Sequence, residues 1–350
     1  ILRAGHRPVM RIDGEIRFAS DKPMAEEESG ALIEHILGPE ETEHFRKSHE
    51  KDTAFVVPGV GRFRSNILRQ RQRTAFVFRH VKETVPSMQE LHLPADVMRR
   101  LSLLKRGLVL VTGIAGSGKS TTLASMIDYM NVNTHRHIVT IEDPIEFIFQ
   151  DDLSAVIQRE VGIDTEDYGT ALKAVVRQTT DVILVGEMRD LETVSAALTA
   201  AETGHLVLST LHTVNAVQTV ERILSFFPPH QQPLIRLQLS LSLEGVVAQR
   251  LLPRKNHQTR VPAVEILLAT PTIREMVHEG RTLELAKSMY EGKAYYGTQT
   301  FQQSLVQLHD DGLISYEDAM ASADNPDELK LELRGISKGA AANQDFDFNY

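Results

Sequence analysis

Apolar and polar positions along the chain follow two regimes. Up to about residue 82, apolar residues alternate with charged ones. Val9-Met10-Arg11-Ile12 and Glu15-Ile16-Arg17-Phe18 read as two strands joined at Asp13-Gly14, a dipeptide that favours a tight hairpin turn. A polar helix is expected over roughly 24–37, ending before Gly38-Pro39. Residues 55–57 and 61–68 read as an antiparallel pair around Pro58-Gly59, and 74–81 as a further strand. From residue 94 the pattern changes to short continuous apolar runs, as in strands buried on both faces of a parallel sheet. These runs are 107–112, 137–141, 182–185 and 206–210. A helix of about 95–104 precedes the first of them. Beyond 213 helices dominate: 215–225, then 230–251 with an apolar stripe through Leu237, Leu241, Val246 and Leu251. A last strand over 261–268 is followed by helices at 271–279, 282–291, 299–311 and 315–322, with Gly280, Gly292 and Gly312 at helix ends.

This pattern predicts an α/β protein. A small α+β domain over 1–82 and a linker over 83–93 lead into a larger α/β domain over 94–255. A C-terminal strand and helices over 256–334 and a tail over 335–350 complete the chain. The tail lacks periodicity and is expected to be mobile. A chain that opens at Ile1 is read as lacking a segment at its start.

Each of the four buried runs ends in something polar. The first runs into Gly113-Ile114-Ala115-Gly116-Ser117-Gly118-Lys119-Ser120, which fits G-x-x-x-x-G-K-[ST] without a mismatch. Strand, glycine loop and the helix start at Thr121 give the motif its required context. Backbone N–H groups and a helix N-terminus suit an anionic polyphosphate. Lys119 would reach its β- and γ-phosphates, and the Ser120 hydroxyl would ligate Mg²⁺. The expected ligands are therefore ATP and Mg²⁺, with residues 113–121 holding the nucleotide.

The second run ends at Glu142-Asp143-Pro144-Ile145-Glu146, the third at Gly186-Glu187, and the fourth lies between His205 and His212. In open parallel sheets the ligand sits beyond the carboxyl ends of the strands. Phosphoryl transfer needs an acid that orients the attacking water, and Glu187 is the best candidate. A magnesium-binding Asp often stands one place earlier, where this chain has Gly186. Glu146 ranks first among the other acids for contact with metal or water, and Glu142 next, so the candidate metal set is Ser120, Glu146 and Glu187. His212 is read as a γ-phosphate sensor or subunit contact, His205 equally well as a core residue.

Composition narrows the class. With 24% charged and 42% hydrophobic residues the chain is an ordinary globular protein, and its net charge of −9 disfavours a general nucleic-acid binder. There is no cysteine, so thiol nucleophiles and cysteine-ligated zinc are excluded. No apolar run approaches the ~20 residues of a membrane-spanning helix. The first domain is rich in arginine. Arg62, Arg64 and Arg79 are candidates to reach a phosphate, while Arg69, Arg71 and Arg73 read as a solvated face.

The stretches GIAGSGKST, TIEDPIEF, DVILVGEMRDLET and AAETGHLVLSTLHT, in this order, resemble the secretion-type ATPases of type IV pili and type II secretion. GEMRDLETVSAALTAAETGHLV and FQQSLVQLHDDGLI resemble the twitching-motility retraction branch and its accessory paralogues, and the likeness covers nearly the whole chain. The resemblance implies a PAS-like N-terminal domain, a RecA-like P-loop domain and a homo-hexameric ring. It makes 113–120 the Walker A box, 142–146 the Asp box, Glu187 the Walker B glutamate, and His205 and His212 members of a His box. It further implies that N-terminal arginines, Arg64 and Arg79 among them, reach the nucleotide. The implied activity is ATP hydrolysis powering pilus retraction. The implied partners are a pilus platform protein of the inner membrane and a paralogous pilus ATPase, at a cytoplasmic site beside that membrane. Two other readings stand beside it: an accessory motor that acts only with a paralogue, and a nucleotide-gated structural ring subunit.

Overall fold

The computed structural model describes residues 1–12, 15–81, 84–255 and 259–334. The expected Asp13-Gly14 turn and the tail 335–350 lie outside the described residues. The chain folds into two compact units, Ile1–Thr84 with Glu146–Ile148, and Val85–Ile145 with Phe149 onward.

In the first unit the elements are β1 (Leu2–Arg3), β2 (Val9–Ile12), β3 (Glu15–Phe18), α1 (Glu26–Ser48), β4 (Glu50–Val57), β5 (Gly61–Gln70) and β6 (Arg73–His80). β2 and β3 pair as an antiparallel ribbon. The other strands form an antiparallel sheet in the order β1-β6-β5-β4. A core of Met24, Ile33, Phe45, Ile67 and Phe76 joins α1 to this sheet. The helix expected to stop before Gly38-Pro39 breaks there, at Gly38 with φ 72°, and then resumes to Ser48. Pro39 restarts it because the first turn of a helix tolerates a residue without an N–H.

The second unit contains α2 (Ala95–Ser102), β7 (Gly107–Thr112), α3 (Lys119–Asn133), β8 (His137–Glu142), β9 (Ala155–Glu160), α4 (Tyr168–Val175) and β10 (Val182–Val185). These are followed by α5 (Leu191–Glu202), β11 (Leu206–Leu211), α6 (Ala216–Ser225), α7 (Gln232–Ser242), β12 (Leu243–Pro253) and β13 (Arg260–Leu268). Helices α8 (Pro271–Glu279), α9 (Leu285–Glu291), α10 (Lys293–Tyr296), α11 (Phe301–Asp310), α12 (Tyr316–Ser322) and α13 (Pro326–Leu333) complete it. Its sheet runs β13-β12-β7-β11-β10-β8-β9, parallel except for the antiparallel β12–β13 pair.

Alternation along β7 sorts the two faces. Leu108 and Leu110 pack with Val139, Ile183 and Val207 under α5, α6 and α7. Val109 and Val111 pack with Ile138, Leu184 and Leu208 under α2 and α3. Met88 and Leu93, inside the stretch expected to be a linker, are buried in this second core, so that stretch is packed from early on.

The helix expected over 230–251 is a correction. It ends at Ser242, and β12 begins at Leu243 between β7 and β13. Leu243, Val246, Val247 and Leu251 satisfy a helical spacing, but Gly245-Val246-Val247 suits a pleated strand, and both faces there are covered. Strands β1 and β9 and helices α4, α5 and α13 were not anticipated either.

Glu265 on β13 is 7% exposed and accepts the N–H of Ala216 at the start of α6, 2.8 Å away. Burial pushes its carboxyl above the usual 4.5, against the opposing pull of that N–H and of Arg250. As pH rises through 4.5 the unfolded chain loses this proton first, so the fold loses stability from there upward until the folded carboxyl also ionises. Glu265→Gln keeps the acceptor and removes the charge. We expect the variant to be more stable than wild type at pH 7 by urea denaturation, with the gap closing below pH 4.5. A gap that widened on acidification would contradict this.

Candidate active site

The phosphate loop takes its shape from three glycines in the left-handed region, Gly113 (φ 145°), Gly116 (φ 77°) and Gly118 (φ 92°). Gly113 has a second constraint, because a Cβ there would stand 2.5 Å from both the Gln249 carbonyl and Ser117 Oγ. Inside the loop, Lys119 is largely buried and its Nζ donates to the Gly113 carbonyl at 2.9 Å and the Ile114 carbonyl at 3.1 Å. Burial lowers its pKa, and the charge of Glu187 pulls the other way.

Three observations fit this loop to a polyphosphate. Ser117 Oγ is buried without a hydrogen-bond partner. The lysine spends its donors on its own loop carbonyls, contacts that an anion would replace. The N-cap of α3, Gly118, carries no side chain, whereas α4, α5 and α6 are capped by Asp167, Asp190 and Asn215. The first-turn N–H groups of α3 are thus left to an external acceptor. Ser120 is exposed in that first turn, so its hydroxyl is available to a cation. Behind the loop, Gln249 Nε2 donates to Thr122 Oγ1 at 3.0 Å.

Glu187 stands just past β10 in a segment that prolongs the sheet. Gly186 N–H donates to the Ile141 carbonyl at 2.8 Å, Thr210 Oγ1 to the Gly186 carbonyl at 2.6 Å, and Met188 N–H to the Thr210 carbonyl at 3.2 Å. The departure at Gly186 has a steric reason. A Cβ there would meet the Tyr168 hydroxyl at 3.0 Å, the Ile141 carbonyl at 3.2 Å and Glu142 Cα at 3.3 Å, so any side chain would require these neighbours to give way by a few tenths of an ångström.

The Glu187 carboxylate, 16% exposed, is held on both oxygens. Arg189 Nη2 lies 2.9 Å from Oε2 and His212 Nε2 lies 3.1 Å from Oε1. The strand ends therefore bring Lys119, Glu187 and His212 to one edge. His205 stands at the opposite end of β11, its Nδ1 3.0 Å from the Ala200 carbonyl, where it closes helix α5. Glu142 is fixed nearer its own strand, accepting from Thr140 Oγ1 at 2.7 Å.

Glu146 groups with the first unit, where its Oε2 lies 3.5 Å from Arg79 Nη2. Arg79 sits directly across from Arg64 in the β5–β6 register. Like charges in that position repel, and Glu146 offsets one of them.

Two residues at the edge had no role in the sequence reading. Arg189 was visible two places after Glu187 in the GEMRD stretch. Tyr168, the first residue of α4, gave no such signal, because neither β9 nor α4 was anticipated. Burial, and then the charge of Asp143, push its hydroxyl well above the ordinary tyrosine range.

Chemically, the edge offers an anion cradle with a free helix end, an exposed hydroxyl, and a carboxylate oriented by two donors. Those are the parts of a phosphoryl-transfer site that activates water.

Comparison with known proteins agrees with this geometry. The family described as Type II/IV secretion system protein matches residues 39–330. The chain is 44% identical over 328 residues to the type IV pilus retraction ATPase PilT of Pseudomonas aeruginosa, covering 94% of each. It is 40% identical over 333 residues to the type IV pilus ATPase PilU of the same organism, covering 95% of this chain and 87% of the relative. A crystal structure of the pilus retraction motor PilT with bound ADP superposes with a TM-score of 0.87 at 44% identity, covering 94% of each chain.

Lys119→Ala is expected to abolish ATP turnover and weaken ATP binding. Glu187→Gln, which keeps shape and loses charge, should still bind ATP while turnover falls by roughly 10²-fold or more. Parallel turnover assays and nucleotide titrations check both. Normal turnover in the lysine variant, or collapsed affinity in the glutamine variant, would refute the assignment.

Proposed function

The chain belongs to the Type II/IV secretion system protein family, whose members include pilus ATPases, and from that premise we propose that it is the motor that powers retraction of a type IV pilus. It is an ATPase of that family with an α/β nucleotide-binding fold. The observation that carries the reading is the pairing, on one sheet edge, of the uncapped phosphate loop with the doubly held Glu187 carboxylate. Identity to PilT that extends over 94% of both chains supports the retraction role.

In this reading the backbone of residues 113–121 and Lys119 hold the polyphosphate of ATP. Ser120, with Glu187 in support, would hold Mg²⁺, which would screen phosphate charge. Glu187 orients the attacking water, and His212 and Arg189 keep its carboxylate in place. His212 is also placed to register the γ-phosphate. The chain works as a homo-hexamer on the cytoplasmic side of the inner membrane, against a pilus platform protein. Among the described residues no helix is long and apolar enough to cross a membrane. The net charge of −9 speaks against a nucleic-acid substrate.

A second reading, an accessory motor that works beside a paralogous retraction ATPase, is favoured by 40% identity to PilU over 95% of this chain. Pilus imaging separates the two. In a strain lacking every other retraction ATPase, this protein alone should restore retraction if it is a self-sufficient motor. Restoration only alongside a paralogue, even a catalytically dead one, would establish the accessory role. A nucleotide-gated structural subunit would restore movement even with Glu187→Gln, which keeps ATP binding and loses turnover, and the intact Lys119 and Glu187 weigh against it.

The arginines of the first unit supply the last element of the reading. Arg79, with Arg64 beside it, is proposed to serve the nucleotide of a neighbouring subunit, which would couple hydrolysis at one site to movement of the next. An arginine supplied in trans is worth ~10³-fold or more in other NTPases. Arg79→Ala and Lys119→Ala subunits should each be nearly inactive, yet rings mixed from the two should recover activity. Mixed rings confirmed by native mass spectrometry and still inactive would rule out action in trans between otherwise independent sites.

A further inference from the structure

The first unit contains a cavity of about 260 Å³ lined by Arg3, His6, Gln70, Arg71, Arg73 and Thr74. No carboxylate lines it. Arg3 is half-buried, and its Nε is closed off from solvent without a hydrogen-bond partner. Neither Arg3 nor Arg71 has an ion-pair partner among the described residues. Arg73 shares its charge with Glu26 at 3.6 Å, and its Nη1 is pressed so closely over Gly5 that a Cβ there would collide with it. Unshared positive charge and an unused buried donor thus meet around one small space.

The backbone holds this arrangement at a cost. Strands β5 and β6 are joined by Arg71 and Gln72 alone, with φ of 49° and 66°. A two-residue connection of this kind favours Asn-Gly, because other side chains are strained in the left-handed region. Strain of this sort persists where the surroundings over-determine it, and often where a ligand binds. Arg69, exposed together with Arg71 and Arg73 as the sequence reading has it, also braces the turn by donating to the Gln72 carbonyl at 2.9 Å. Pairing of Arg3 opposite Ala75 brings the first strand alongside β6, so the guanidinium group of Arg3 joins those of Arg71 and Arg73 from the far end of the domain's sequence.

We propose that this cavity is a binding site for a small phosphate-bearing anion, formed entirely by residues of the first unit. Guanidinium groups offer paired donors that match phosphate oxygens. The volume lies below the 300–1,000 Å³ common for larger organic ligands, which favours a phosphate or pyrophosphate group over a whole nucleotide. The phosphate is carried either by a free anion or by a lipid headgroup.

The test uses the full chain saturated with ADP, so that the phosphate loop is occupied. Calorimetric titration with inorganic pyrophosphate should reveal one further site that weakens as salt is raised. The double variant Arg3→Ala/Arg71→Ala should lose about tenfold or more in affinity, while Arg17→Ala, on the β2–β3 ribbon, should leave it intact. Should thermal melts show the double variant to be misfolded, Arg71→Gln in the exposed turn replaces it, with the same loss expected. Sedimentation with phosphatidylglycerol and with phosphatidylcholine vesicles forms the second arm. Binding to the anionic vesicles alone, abolished by the same substitution, would identify a headgroup as the source. Failure to bind either probe, or binding that the arginine variants leave unchanged, would overturn the proposal.

Discussion

A parallel sheet covered by helices on both faces has no place for a polar side chain except the ends of its strands. β7, β10 and β11 meet that constraint almost completely: Val109, Leu110, Ile183, Leu184, Val207 and Leu208 are all shut away from water. Polar groups that do occur within the sheet find partners nearby: Ser209 Oγ donates to the Val185 carbonyl of the neighbouring strand at 2.8 Å, and Gln249 Nε2 to Thr122 Oγ1 of α3 at 3.0 Å. Lys119, Glu187 and His212 converge because each is the first reactive group the chain can carry after leaving such a strand. The parallel register then fixes them on one side.

The same constraint explains what the sequence revealed and what it concealed. A strand buried on both faces is a continuous apolar run, so β7, β8, β10 and β11 could be read directly, together with the motif residues at their ends. β12 is just as buried, but it follows α7 without a break and its leucines and valines also satisfy a helical spacing. Only the presence of β7 on one side and β13 on the other makes it a strand. β9 has the reverse difficulty. As an edge strand it alternates between exposed and half-buried positions only over its first four residues and ends in polar Gln158-Arg159-Glu160, too short an apolar run to read, so Tyr168 beyond it was also hidden. The acids of the 142–146 turn could be recognised as a group, but their separate environments could not. Glu142 is tied to Thr140, while Glu146 faces Arg79.

The arginines of the first unit show where a local reading of charge fails. Alternation along β5 and β6 correctly places Arg62 and Arg64 on one face of the sheet. It carries no information about Arg3, which reaches Arg71 and Arg73 only through the pairing of β1 with β6. A residue's charge is written in the sequence, whereas its compensation depends on neighbours that topology supplies.

The bare N-cap of α3 has one more consequence. A helix whose first N–H groups await an outside acceptor is completed by whatever binds there, so affinity for the anion and integrity of the helix become a single free energy. Occupancy of the loop therefore adds its binding free energy to the stability of the first turn of α3.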